Sequence, residues 1–66
     1  MTVRELWDVS PKCHVFIRVK GGGTREYIGV GSDGDAVVGE VLATRYPMYG
    51  HVLEVTLEKD IERWRM

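Results

Sequence analysis

Three consecutive glycines, Gly21-Gly22-Gly23, constrain this chain more than any other feature, because two strand-like runs flank them. The runs are His14-Val15-Phe16-Ile17-Arg18-Val19-Lys20 and Thr24-Arg25-Glu26-Tyr27-Ile28-Gly29-Val30. β-Branched and aromatic residues suit a pleated surface, and glycine enters positive φ without steric cost. The pattern predicts a β-hairpin. In the first strand Cys13, Val15, Ile17 and Val19 share one face, and His14, Phe16, Arg18 and Lys20 share the other. A loop of Gly21 to Thr24 would set Ile17 opposite Ile28 and Val15 opposite Val30, and is preferred because it joins apolar with apolar. The alternative, a shorter loop, opposes Arg18 to Glu26 and Ile17 to Tyr27.

Upstream, Thr2 with Glu5 three residues later forms a capping-box pattern, and Val3, Leu6 and Trp7 fall on one side of the helix it would start. Ser10-Pro11 ends that helix. Downstream of the hairpin, the Gly29–Gly39 region is dominated by glycine and aspartate and reads as a loop. Two further strand runs follow, Glu40–Tyr46 and His51–Glu58, joined by the turn Pro47-Met48-Tyr49-Gly50. An alternative helix over Asp35–Thr44 is opposed by Gly39 and the valines. Leu57, Ile61 and Trp64 are spaced for a closing turn of helix over Lys59–Met66. The expected fold is α+β. A short N-terminal helix packs on a four-stranded antiparallel sheet of two hairpins, open or curled toward a small barrel, with a short C-terminal helical turn.

At 66 residues the chain is a single small domain near the lower limit for folding without staples. Cys13 is the lone cysteine, so no internal disulfide forms, and no second thiol stands at metal-binding spacing. A reduced thiol, no long apolar run and an early interruption by Arg4, Glu5 and Asp8 point to a cytoplasmic protein with no membrane partner. A net charge of −1 weighs against a phosphate-neutralising nucleic-acid binder.

Each candidate site in the chain has a plainer role. Gly29-Val30-Gly31-Ser32-Asp33-Gly34 satisfies G-x-G-x-x-G, but a dinucleotide site needs a parallel βαβ unit and a long following helix. Asp33 and Asp35 would repel phosphate, so a turn is the better reading. Asp33-Gly34-Asp35 has too few oxygen ligands for calcium. Cys13 and His14 point to opposite sides of a strand, and no nucleophile–base–acid set is readable with His51 or the two serines. No catalytic, cofactor or metal residue is assigned, and a non-enzymatic role is expected.

Two surfaces remain. Phe16, Arg18, Arg25 and Tyr27, with Lys20, would place aromatic and basic groups on one side of the first hairpin, as in single-strand nucleic-acid platforms. Their plainer role is packing, or pairing with a second copy in a homodimer. Tyr46, Met48 and Tyr49 at the second turn are of the type enriched where proteins meet proteins, with Arg45 beside them to steer the approach.

Thr2-Val3-Arg4-Glu5-Leu6, the hairpin, the irregular segment and the closing Val52-Leu53-Glu54-Val55 strand resemble a broad class of short bacteriophage and prophage proteins. The resemblance implies an accessory role: neutralising a host protein such as an immune effector, or sequestering a small signal molecule. It carries over no site residue, and the glycine–aspartate loop and Trp64 depart from the pattern. The expectation is a small protein-binding module using Phe16, Arg18, Arg25, Tyr27, Arg45, Tyr46, Met48 and Tyr49. Its rivals are an oligomer that sequesters an anionic metabolite or nucleotide at the Gly29–Gly34 loop, and a nucleic-acid-binding β-domain.

Overall fold

The computed structural model describes residues 1–19 and 21–60. Helix α1 spans Val3–Asp8 and starts as the capping box requires. The Glu5 amide donates to Thr2 Oγ1 at 3.2 Å, and the Thr2 amide donates to Glu5 Oε1 at 2.8 Å. The reciprocal bonds satisfy amides that a helix start leaves without partners. The helix is too short to persist alone, so its stability comes from Val3 and Leu6, both buried against the sheet.

Strands β1 (His14–Arg18), β2 (Thr24–Tyr27), β3 (Val38–Tyr46) and β4 (Gly50–Leu57) form one open sheet in the order β2-β1-β4-β3. Both hairpins form, β1–β2 and β3–β4, and each is antiparallel. The hairpins meet through β1 and β4, which run parallel, with Val15 beside Leu53 and Ile17 beside Val55. The sheet is therefore mixed rather than wholly antiparallel, and it does not close into a barrel. The cause lies in burial. β1 and β4 bury residues of both alternations, Val15, Phe16 and Ile17 on one and Val52, Val55, Thr56 and Leu57 on the other. Strands buried on both faces belong at the centre, and the more exposed β2 and β3 take the edges.

The first hairpin also adopts neither expected register. Val15 pairs with Tyr27, Ile17 with Arg25 and Arg18 with Thr24. Val19 donates to the Gly23 carbonyl at 3.2 Å, and all three glycines take positive φ. Closing the turn at Val19 and Gly23, one residue earlier on the first strand than either expected register, brings Tyr27, not Ile28, over the core. Ile28 and Val30 are left outside the strand and exposed.

The core lies between α1 and one face of the sheet: Val3, Leu6, Val15, Ile17, Tyr27, Val55 and Leu57, with Ala36, Val38 and Leu53 packed against it. Each fully buried valine or isoleucine contributes about 1.5–3 kcal/mol of transfer free energy. Between β2 and β3 the chain makes a single 3-10 turn at Ser32–Asp35, and the alternative helix over Asp35–Thr44 does not form. Ion pairs tie this turn to the rest, Arg4–Asp35 at 2.6 Å and Arg25–Asp33 at 2.8 Å. A second 3-10 turn, Glu58–Asp60, follows β4. The remainder of the expected closing helix, residues 61–66, lies outside the described residues. No helix among the described residues is long and apolar enough to cross a membrane.

Candidate functional site

The sheet face opposite α1 carries His14, Phe16 and Arg18 from β1, Thr24 and Glu26 from β2, Val52, Glu54 and Thr56 from β4, and Leu42, Thr44 and Tyr46 from β3, as the pairing registers dictate. Over one end of it folds the turn between β3 and β4, in which the Tyr49 amide donates to the Tyr46 carbonyl at 3.2 Å and Gly50 takes φ +79°. The result is an aromatic cluster drawn from both hairpins. The Tyr49 ring lies 5.1 Å from His14 and 5.1 Å from Phe16, both edge-on, and Tyr46 lies 5.4 Å from Phe16. Edge-to-face geometry of this kind adds about 0.5–1.5 kcal/mol per pair beyond the area buried.

Phe16 and Val52 are buried beneath the cluster, whereas Tyr49 is 46 % exposed and Met48, at the tip of the turn, is 91 % exposed. His14 Nδ1 stands 2.7 Å from Glu26 Oε2, which fixes the imidazole at the edge of the cluster. The Tyr46 phenol is pushed above its ordinary pKa, chiefly by burial and next by the negative charge of Glu54.

The eight residues expected to form a contact surface are only partly brought together. Phe16, Tyr46 and Tyr49 meet at one end of this face, and Met48 projects into solvent from the turn beside them. Arg18 is on the same face, toward the far end of β1. Arg25 and Tyr27 are not, because their register with Ile17 and Val15 turns them to the α1 side. Tyr27 is buried there, its ring edge-on to Trp7 at 6.0 Å. Arg45 is exposed but pairs with His51 on the α1 side of the sheet. The single aromatic and basic hairpin face is therefore divided between the two sides of the sheet. His14 and Glu26 are members that the sequence did not single out for this surface. A signal for the meeting of the hairpins existed in the apolar residues on both alternations of β4.

The glycine–aspartate loop has a different character. Arg25 holds Asp33 by two contacts, Nε to Oδ2 at 2.8 Å and Nη2 to Oδ1 at 3.0 Å. Arg4 donates to Asp35, and that hydrogen bond raises the guanidinium's already high pKa. The arginines nearest the loop thus face the loop's own carboxylates. A phosphate would have to displace them. Among the described residues no group of three or more histidine, cysteine, aspartate or glutamate side chains converges as a metal site.

No family model, no curated protein and no solved structure matches this chain.

Proposed function

We propose that this chain is a small non-catalytic protein-binding module that acts by contact, covering the surface of a larger protein. The observation that carries this reading is the β3–β4 turn. It lays Tyr49 over Phe16 and His14 and leaves Met48 almost fully in solvent. A flexible thioether beside an aromatic ring anchored on a rigid sheet is the arrangement found at the centre of protein contacts. Phe16 and Tyr46 hold the tip in place, so little conformational freedom is lost when it docks. Occlusion of a host protein, the role implied by the likeness to phage accessory proteins, suits such a small rigid wedge. Anion sequestration at Gly29–Gly34 is less well supported, since Asp33 and Asp35 already engage the neighbouring arginines. A nucleic-acid platform is weakened by the turning of Arg25 and Tyr27 to the α1 side.

The test uses tagged full-length protein as bait, with Met48→Ser/Tyr49→Ser as the tip variant and Val30→Ser as an exposed apolar control. A protein captured by the wild type is purified and titrated against all three. Binding is expected to fall at least tenfold for the tip variant and to stay unchanged for Val30→Ser, with circular dichroism showing each variant folded. Equal binding by folded wild type and tip variant would remove the tip from the contact and sink the reading.

A further inference from the structure

We propose that the part of the β3 edge left open among the described residues pairs with β3 of a second copy of this chain, antiparallel, about a two-fold axis through Ala43. The two edges of the sheet differ. β2 offers only four residues, of which Arg25 and Glu26 are charged. Short, charged edges resist strand addition. β3 is nine residues long, with Leu42 60 % exposed and Val41 44 % exposed.

The chain already lays an extended segment on this edge. Thr2 and Val37 form an antiparallel bridge, and the Val38 amide donates to the Met1 carbonyl at 2.8 Å. That bond directs Val38 N–H away from β4, while the Val37 carbonyl accepts from Glu58 on the β4 side at 2.9 Å. The register then shifts between Val38 and Glu40, leaving Gly39 as the extra residue. With one residue inserted, the outward positions become Val41, Ala43 and Arg45. The turn agrees, since the Tyr46–Gly50 pair that closes it sits on the other alternation.

From Glu40 to Tyr46 the ladder with β4 is regular, and Ala43 is the midpoint. A two-fold axis there sets Ala43 opposite its counterpart, Val41 opposite Arg45, Leu42 opposite Thr44 and Glu40 opposite Tyr46. The outward N–H and C=O groups of Val41, Ala43 and Arg45 then each find a partner. Alanine at the axis lets the backbones approach. Charge disfavours the other direction: parallel pairing in register would stack Glu40 on Glu40 and Arg45 on Arg45, whereas antiparallel pairing separates them. So short a ladder buries less than the ~1,200 Å² of a standard interface, so the dimer is weak, with Kd between about 10 µM and 1 mM. Met48 and Tyr49 stay outside the new ladder, so this inference stands or falls separately from the tip contact.

Sedimentation of the full chain from about 10 µM to 1 mM tests it, with Ala43→Pro, Val41→Lys and Met48→Ser alongside. Proline removes an outward donor without removing a bond to β4. Wild type and Met48→Ser are expected to pass from monomer to dimer over this range, with slowed amide exchange at 41, 43 and 45. Ala43→Pro and Val41→Lys remain monomeric with unchanged circular dichroism; should the proline variant unfold, Val41→Lys decides alone. A wild type monomeric throughout, or a dimer that survives in a folded edge variant, overturns the proposal.

Discussion

The indole of Trp7 lies so close to Gly29 that a methyl group placed on the glycine would stand 2.8 Å from ring carbon Cη2. Gly29 also takes φ +93°, so two requirements meet at one residue. Gly31 shares only the second, with φ +107° and open space around it. Gly31→Ala is expected to cost about 1–3 kcal/mol from backbone strain. Gly29→Ala should exceed it by about 1–3 kcal/mol from overpacking. Urea unfolding of both variants, repeated in a Trp7→Ala background, checks this. The excess should vanish once the indole is gone; an excess that persists would mean Trp7 is not the obstacle.

The capping box makes the first turn of α1 sensitive to pH. The Glu5 carboxyl is held below its ordinary pKa of 4.5, first by the Thr2 amide and then by the Thr2 hydroxyl. A lowered folded pKa means stability that is present above the unfolded value and lost as pH falls through the folded one. Wild type should therefore weaken more steeply than Glu5→Gln as pH falls into the acid range below 4.5. Thr2→Ala is expected to cost about 1 kcal/mol at neutral pH. Thermal melts across that range provide the measurement, and parallel curves for wild type and Glu5→Gln would count against the box.

Much of the local structure was legible because local chemistry decides it. Thr2 and Glu5 mark the start of α1, the glycine triplet marks a turn, and alternation in Val52–Leu57 gives β4 its faces. What escaped was decided over distance. Hairpin register depends on which of Tyr27 and Ile28 reaches the core, and Tyr27 wins by packing against Trp7, a residue far away in sequence. Strand order depends on which strands are buried on both faces. Val52 and Thr56 on one face of β4, against Val55 and Leu57 on the other, mark it as central, and a meander with β2 and β3 in the middle would leave them open to water. The aromatic cluster inherits both effects. Phe16 meets Tyr46 and Tyr49 only because β1 lies beside β4.

Tyr27 keeps its ring at the centre of the core, while its hydroxyl is buried beside the Arg4 guanidinium without a well-formed hydrogen bond among the described residues. A buried polar group without a partner costs the desolvation it suffered. Deleting only that oxygen, by Tyr27→Phe, should leave stability unchanged within about 0.5 kcal/mol or raise it, whereas Tyr27→Ala should lose about 3–5 kcal/mol. Denaturant midpoints for both give the comparison. A loss above 1 kcal/mol in the phenylalanine variant would show that the hydroxyl has a stabilising contact after all.

Alkaline titration reports on the aromatic cluster itself. The Tyr46 phenol is raised above its ordinary value of 10.0, by burial first and by the Glu54 carboxylate second. The folded protein therefore holds this proton at a pH where the unfolded chain has released it. Such a group contributes stability that is complete below the unfolded pKa and is lost as pH rises through the folded one. Wild type should lose more stability than Tyr46→Phe as pH rises past 10.0. In the phenolate absorbance, Tyr46→Phe should remove a component that titrates above 10.0, and Glu54→Gln should move that component to lower pH without abolishing it. Should Tyr46→Phe instead remove an early component, the phenol would be solvated, and the cluster would not seal the end of the sheet beneath the β3–β4 turn.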